Sequence, residues 1–222
     1  MATTVSEKPF SQAIAERRAT QSFDGTPVPL EHLKQILQAG LEAPSGYNLQ
    51  PWRFVVVRDP EQRKRLRAAA MNQPKVEEAP VVIVACADPQ GWKNGDLEEM
   101  LKLAEHLNDE TRNLIRKNIS NFLGGQPGDA AGIAPDFGVW ANRHAMIALT
   151  TMMWMAEVLG YDTAPMEGFS EKAVKQTLGI PERVRVVALL AVGRRKGPKK
   201  PYGKRFPMER VVFAECWGQG LK

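Results

Sequence analysis

Cations, amides and glycines recur at the ends of this chain's predicted elements. Arg17 and Arg18 close a first helical segment, and Ser45, Gly46 and Asn48 sit in APSGYNLQPWRF, residues 43–54. Asn72 and Lys75 follow another helix, Glu167 and Gly168 lie in PMEGF, and Lys204 and Arg205 end a basic loop. Polar residues belong at element ends for structural reasons alone. As a set, however, these supply guanidinium groups for a phosphate and amide donors for a heterocycle edge. That is the chemistry of holding a phosphorylated, ring-bearing cofactor.

Other chemistries are poorly served. His32, His106 and His144 are scattered and none has a second ligand at metal-binding spacing. Ser45 lacks the glycine pattern of a nucleophile elbow. There is neither a phosphate-binding P-loop nor a GxGxxG after a strand. The expectation is no metal and no catalytic acid, base or nucleophile from the protein.

The 222 residues are 43% hydrophobic, enough for a packed core. No apolar run reaches membrane-span length and MATTVSEKPF lacks a signal peptide's apolar stretch, so a soluble cytoplasmic protein is expected, with no membrane partner. Cys86 and Cys216 read as reduced and mostly structural. Much of the net charge of +5 sits in RRKGPKKPYGKR, residues 194–205. Such a run reads as a solvated loop, as a site for an anionic cofactor or substrate, or as a nucleic-acid surface. No zinc-finger spacing, recognition-helix pattern or aromatic RNA-binding motif supports the last, so no nucleic-acid partner is expected.

The elements that must position these residues follow from periodicity and punctuation. Residues 1–9 read as a loose tail, 10–18 as a helix, 24–29 as a turn and 30–41 as an amphipathic helix. Residues 54–57 form a short strand, and Asp59 opens a capping box for a helix to about Met71. VVIVACA, residues 81–87, is a buried strand. The charged segment from Asp96 is only partly periodic and reads as a half-exposed lid or arm rather than a core element. Residues 124–138 form a long loop, and 140–159 a helix apolar nearly all round, buried in a core or a subunit interface. Ser170 caps a helix ending at Gly179, residues 183–193 make a third strand, and VVF, 211–213, suggests a fourth. Helices outnumber strands and alternate with them only in part, which favours an α+β layer fold over a doubly wound sheet.

Five pieces in order, RRATQSF (17–23), APSGYNLQPWRFVVV (43–57), NQPKVEEAPVVIV (72–84), PMEGF (165–169) and KRFP (204–207), closely resemble the FMN-dependent nitroreductase family. The match runs over nearly the whole chain. It implies a single domain over 1–222 with an α+β sandwich, a central mainly antiparallel sheet flanked by helices, and an intertwined homodimer. Residues 96–138 would be a lid or insertion and 206–222 a C-terminal extension exchanged with the partner subunit.

The resemblance also assigns roles. Arg17 and Arg205 would hold the FMN phosphate through bidentate contacts, with Arg18, Gln21 and Lys204 beside them. Pro44, Ser45, Gly46 and Asn48 would reach the flavin from the partner subunit. Asn72 would bond the pyrimidine edge, and Lys75 would stand near flavin N1 and O2, where charge accumulates on reduction. In Pro165, Met166, Glu167 and Gly168 the backbone N–H of Glu167 would face N5, with Gly168 allowing close approach. The family's commonest first motif has Ser and then Arg or Lys where this chain has Ala19 and Gln21. A hydroxyl and a charge are thereby lost, for which Thr20 and Lys204 are the candidate substitutes.

The activity implied is ping-pong transfer from NADH or NADPH to a nitroaromatic, quinone or related electron-poor small molecule. Enone reduction also occurs in the family, whereas the tyrosine of its dehalogenating branch is missing from residues 96–117. A flavin-storing or flavin-sensing protein of the same fold, without efficient turnover, is the alternative from another class.

Overall fold

The computed structural model describes residues 7–124 and 136–221. Helices α1 (Phe10–Glu16) and α2 (Leu30–Leu41) precede strand β1 (Trp52–Val57). Helices α3 (Pro60–Ala69) and α4 (Pro74–Glu78) then lead into β2 (Val81–Ala87). Two helices, α5 (Asp96–Leu103) and α6 (Asp109–Gly124), come before the long α7 (Phe137–Val158). The chain continues through β3 (Asp162–Met166), α8 (Glu171–Leu178), β4 (Arg185–Gly193) and a single helical turn, α9 (Met208–Val211). The strands form one antiparallel sheet in the order β1-β2-β4-β3. The expected α+β class with a central antiparallel sheet and flanking helices is therefore what the chain adopts.

Period-two alternation in the two central strands builds both faces of the core. Val82, Val84, Cys86, Leu189 and Ala191 pack against Leu66 and Ala69 of α3, Val76 of α4 and Val174 of α8. Val81, Ile83, Ala85, Leu190 and Val192 pack against Leu33 and Ile36 of α2 and Leu149, Met152 and Ala156 of α7. Burial on both faces explains why β2 reads as an unbroken apolar run. It also fixes Cys86 inside, where desolvation pushes the thiol up to about 12.

Four expectations are corrected. VVF is not a strand: α9 takes in Val211, and Phe213 only bridges Gly220. The fourth strand is instead DTAPM, whose Pro165 masks it in the sequence. An edge strand tolerates a proline because one row of its backbone groups goes unpaired by neighbouring strands. The segment from Asp96 is not a detached arm, since Leu97, Met100, Leu101, Ile119 and Leu123 of α5 and α6 are buried with Trp52, Trp140 and Ala145. Most of its charged residues occupy the outer faces. The tail is tied down at Lys8, whose N–H donates to the Val158 carbonyl and whose ammonium pairs with Glu157 at 2.7 Å. The first helix stops at Glu16, leaving Arg17 in extended backbone after it. The loop expected at 124–138 lies mostly outside the described residues.

Caps follow the sequence signals. The Asp59, Asp136 and Ser170 side chains each accept from a backbone N–H in the first turn of their helix. Gly40 leaves room for the Met152 side chain of α7: a Cβ there would lie 2.6 Å from Met152 Cγ. Gly40→Leu should therefore destabilise the fold by about 2 kcal/mol through overpacking. Thermal denaturation should show a melting temperature lower by about 4–8 °C.

Candidate functional site

Arg17, Arg18 and Arg205 converge. With Ile14, Ala15, Trp154 and Tyr202 they line a cavity of about 630 Å³. The extended run after α1 delivers the first two: Ala19 pairs with Thr163 of β3, and the Thr20 N–H donates to the Thr163 carbonyl at 3.0 Å. Arg18 Nη1 donates to the Ala15 and Arg17 carbonyls, 2.8 Å each, holding that guanidinium against the end of α1. Arg205 comes from the far end of the basic loop, past Lys204 in the left-handed region at φ 54°.

The electrostatics of this cluster are unfinished. Arg17 Nε and Nη1 are buried and have no hydrogen-bond partner among the described residues. Burial lowers the Arg17 pKa, Glu157 works in the opposite sense, and Arg205 and Arg18 lower it further. Arginine nonetheless keeps its charge. Two buried donor atoms on a permanent cation, with two more guanidinium groups beside it, are the donor set that a dianion requires. A phosphate fits this donor set. Glu157 is 3% exposed and is itself paired with Lys8 at 2.7 Å and Lys199 at 3.7 Å. The basic loop is thus anchored beside the arginines by its own lysine.

A second group gathers where α3 runs into α4. Met71 and Asn72 both take positive φ, 53° and 54°. Gln73 Nε2 donates to the Gly168 carbonyl at 2.8 Å, and a Cβ on Gly168 would meet Met71 Sδ at 3.5 Å. The segments carrying Asn72 and Lys75 and carrying Glu167 and Gly168 are therefore neighbours. Pro165 and Glu167 are exposed whereas the Met166 side chain is a core group. Lys75 is half-buried, and its pKa is lowered by desolvation and then by Lys200. Ser22 Oγ donates to Glu78 of the same helix at 2.6 Å. The run from Arg17 to Ser22 spans at most about 17 Å, so arginine cluster and Lys75 helix lie within reach of one mononucleotide-sized ligand. Gln21 is exposed on this run and Thr20 is buried beneath it.

The third group does not join them. Gly46 N–H donates to His144 Nε2 at 3.0 Å, while His144 Nδ1 is 2.8 Å from the Trp140 carbonyl. Both bonds together require the neutral ring with its proton on Nδ1. Ser45 Oγ accepts from the Gln50 N–H, so the hydroxyl braces its own loop. Pro44 and Asn48 are exposed, and Tyr47, Asn48 and Gln50 hold positive φ. His144 and Trp154, which mark this loop and the arginine cavity, are ten residues apart on α7, about 15 Å along its axis. Within one chain the two halves of the expected site are separate.

Trp154, Tyr202, Lys200 and His144 went unsingled by sequence reasoning as site residues. Tyr202 carried a usable signal, as the lone aromatic in a basic run. Trp154 carried none, because it is one apolar residue among many in α7.

The chain belongs to the nitroreductase family, whose model matches residues 14–194. The NADH dehydrogenase of Thermus thermophilus is 36% identical over 201 residues, 90% of this chain and 93% of that protein. The crystal structure of Bacillus subtilis ydfN is 29% identical at a TM-score of 0.80, over 92% of this chain and 98% of that one. A protein from Exiguobacterium sibiricum solved in complex with FMN has the same fold, with a TM-score of 0.83 at 23% identity over 96% of this chain and all of its own.

Two outcomes follow from the geometry. Inorganic phosphate should raise the melting temperature of the unliganded protein, and Arg17→Ala should abolish that rise while Arg183→Ala, at a guanidinium paired with Asp88 and not lining the cavity, leaves it intact. Removing the His144 acceptor leaves the Gly46 N–H unpaired, at a cost of about 1–3 kcal/mol. His144→Ala should accordingly speed hydrogen exchange in the 44–50 loop by about tenfold or more.

Proposed function

We propose that the protein is an FMN-dependent NAD(P)H oxidoreductase that reduces nitroaromatics, quinones or related electron-poor small molecules. The observation that carries this reading is the arginine cavity, with its buried, unpartnered Arg17 donors flanked by Arg18 and Arg205. Family membership and a 36% identical relative named as an NADH dehydrogenase support the donor half of the reaction. A like fold solved with FMN supports the cofactor.

Arg17, Arg18 and Arg205 would hold the phosphate. Lys75, set deep enough that burial depresses its pKa, would stand at the pyrimidine end with the Asn72 amide. Glu167 would offer its backbone N–H beside Gly168, whose lack of a side chain permits close approach. When bound, FMN supplies the hydride-accepting centre. The protein's part is orientation, a cation near developing negative charge, and exclusion of water. No side chain is required to act as acid or base.

Completion of the site calls for a homodimer. The 44–48 loop is remote from the arginine cavity of its own chain but would face that of the partner subunit. The C-terminal segment supports this: Phe206, Met208, Val211 and Leu221 are exposed, and Trp217 is 92% exposed. Val139 and Ile147 leave an apolar strip open on α7 as well. Apolar surface of this extent is a mark of an association site.

Purified protein reconstituted with FMN should be yellow, bleach under NADH or NADPH and regain colour with a quinone or nitroaromatic. Arg17→Ala should weaken FMN binding roughly 10–100-fold, as expected for lost charge-assisted hydrogen bonds. Flavin that binds but stays oxidised with both nucleotides would instead mark a storage or sensing protein, and failure to bind flavin would sink both readings.

A further inference from the structure

We propose that Tyr202 is a positioning residue for the phosphate-binding arginines, and that its ring makes the protein select flavin with a terminal phosphate over flavin without one. The proposal rests on the FMN reading above and deepens it.

The observation behind it is a shared ring. The Arg18 guanidinium carbon lies 4.5 Å from the Tyr202 ring centroid, and that of Arg205 lies 5.6 Å from the same centroid. Both distances are within the range of cation–π attraction. All three side chains line the cavity that holds Arg17. Cations brought together repel one another, as the depressing effect of Arg205 and Arg18 on Arg17 records. A ring attracted to two of them offsets part of that repulsion before any anion arrives.

Tyr202 is also a point where the basic loop comes against the segment that follows α1. Midway along, the loop is fastened by Lys199 to Glu16 and Glu157, at 3.6 and 3.7 Å. Arg18 is fixed on its own side by the Ala15 and Arg17 carbonyls. Between these anchors and Arg205 come Gly203, where an added Cβ would meet nothing, and Lys204 at positive φ. Arg205 is exposed, and its Nη1 donates only to the adjacent Lys204 carbonyl among the described residues. The Tyr202 ring links the Arg205 guanidinium to Arg18, which the Ala15 and Arg17 carbonyls hold at the end of α1. The ring is more than half exposed, so a role in core packing does not account for its position.

The discriminating variants are Tyr202→Phe, which keeps the π face, and Tyr202→Leu, which keeps apolar bulk without it. Flavin-free protein would be titrated with FMN and with riboflavin, following quenching of flavin fluorescence. Wild type and Tyr202→Phe should bind FMN within about twofold of one another, and Tyr202→Leu about tenfold more weakly. Riboflavin, lacking the phosphate, should bind all three alike. In an Arg205→Ala background the loss caused by Tyr202→Leu should shrink, because one of its two guanidinium partners is gone. Wild-type protein that binds FMN while Tyr202→Leu binds it equally well overturns the proposal and leaves the FMN reading standing. So does a Tyr202→Leu loss equal for FMN and riboflavin. Wild-type protein that binds neither flavin overturns both.

Discussion

A buried guanidinium without hydrogen-bond partners, at the end of α1, is the constraint on which the surroundings of the candidate site depend. Arg17 is half-buried, with two guanidinium nitrogens cut off from water and unpaired within the described chain. Such a group is costly unless a partner is supplied. The surroundings push in opposite directions. Arg18 and Arg205 disfavour the charge, whereas Glu157 favours it. Glu157 in turn sits in the last turn of α7, where the helix dipole disfavours a carboxylate, and Lys8 and Lys199 offset that. The network holds the N-terminal segment, two helix ends and the basic loop together around a place for an anion.

The fold is arranged to present that place. β2 and β4 are buried on both faces and give the scaffold rigidity, while β3 stands at the sheet edge where Ala19 can pair with it. Its continuation, Glu167 and Gly168, emerges next to the strained turn at Met71 and Asn72. Backbone held in the left-handed region by non-glycine residues recurs at Tyr47, Asn48, Gln50 and Lys204. All the positive-φ non-glycine residues but Glu215 lie in loops that carry candidate ligands, as expected where surrounding structure over-determines an unfavourable conformation.

Much of this was legible in the sequence. The buried strands, the capped helices and the all-round apolar α7 follow from periodicity and cap residues. The arginines, the 44–48 loop and the Asn72–Lys75 pair were named from residue type and order. What escaped was governed by tertiary context. DTAPM forms a strand because an edge position tolerates Pro165, and VVF does not because Val211 belongs to a helical turn and, among the described residues, Phe213 pairs only in a single bridge to Gly220. Residues 96–124 looked like a lid because charge obscures their apolar face, although Leu101, Ile119 and Leu123 are fully buried. Tyr202 and Trp154 joined the cavity through contacts spanning about fifty residues or more, which no local pattern encodes.

The most direct test of the account is a crystal structure of the FMN-loaded protein. It should place the phosphate within hydrogen-bond distance of Arg17 Nε and Nη1, between Arg18 and Arg205, with residues 44–48 of the partner subunit against the flavin ring. A phosphate held elsewhere, with Arg17 still unpaired, would contradict the central claim.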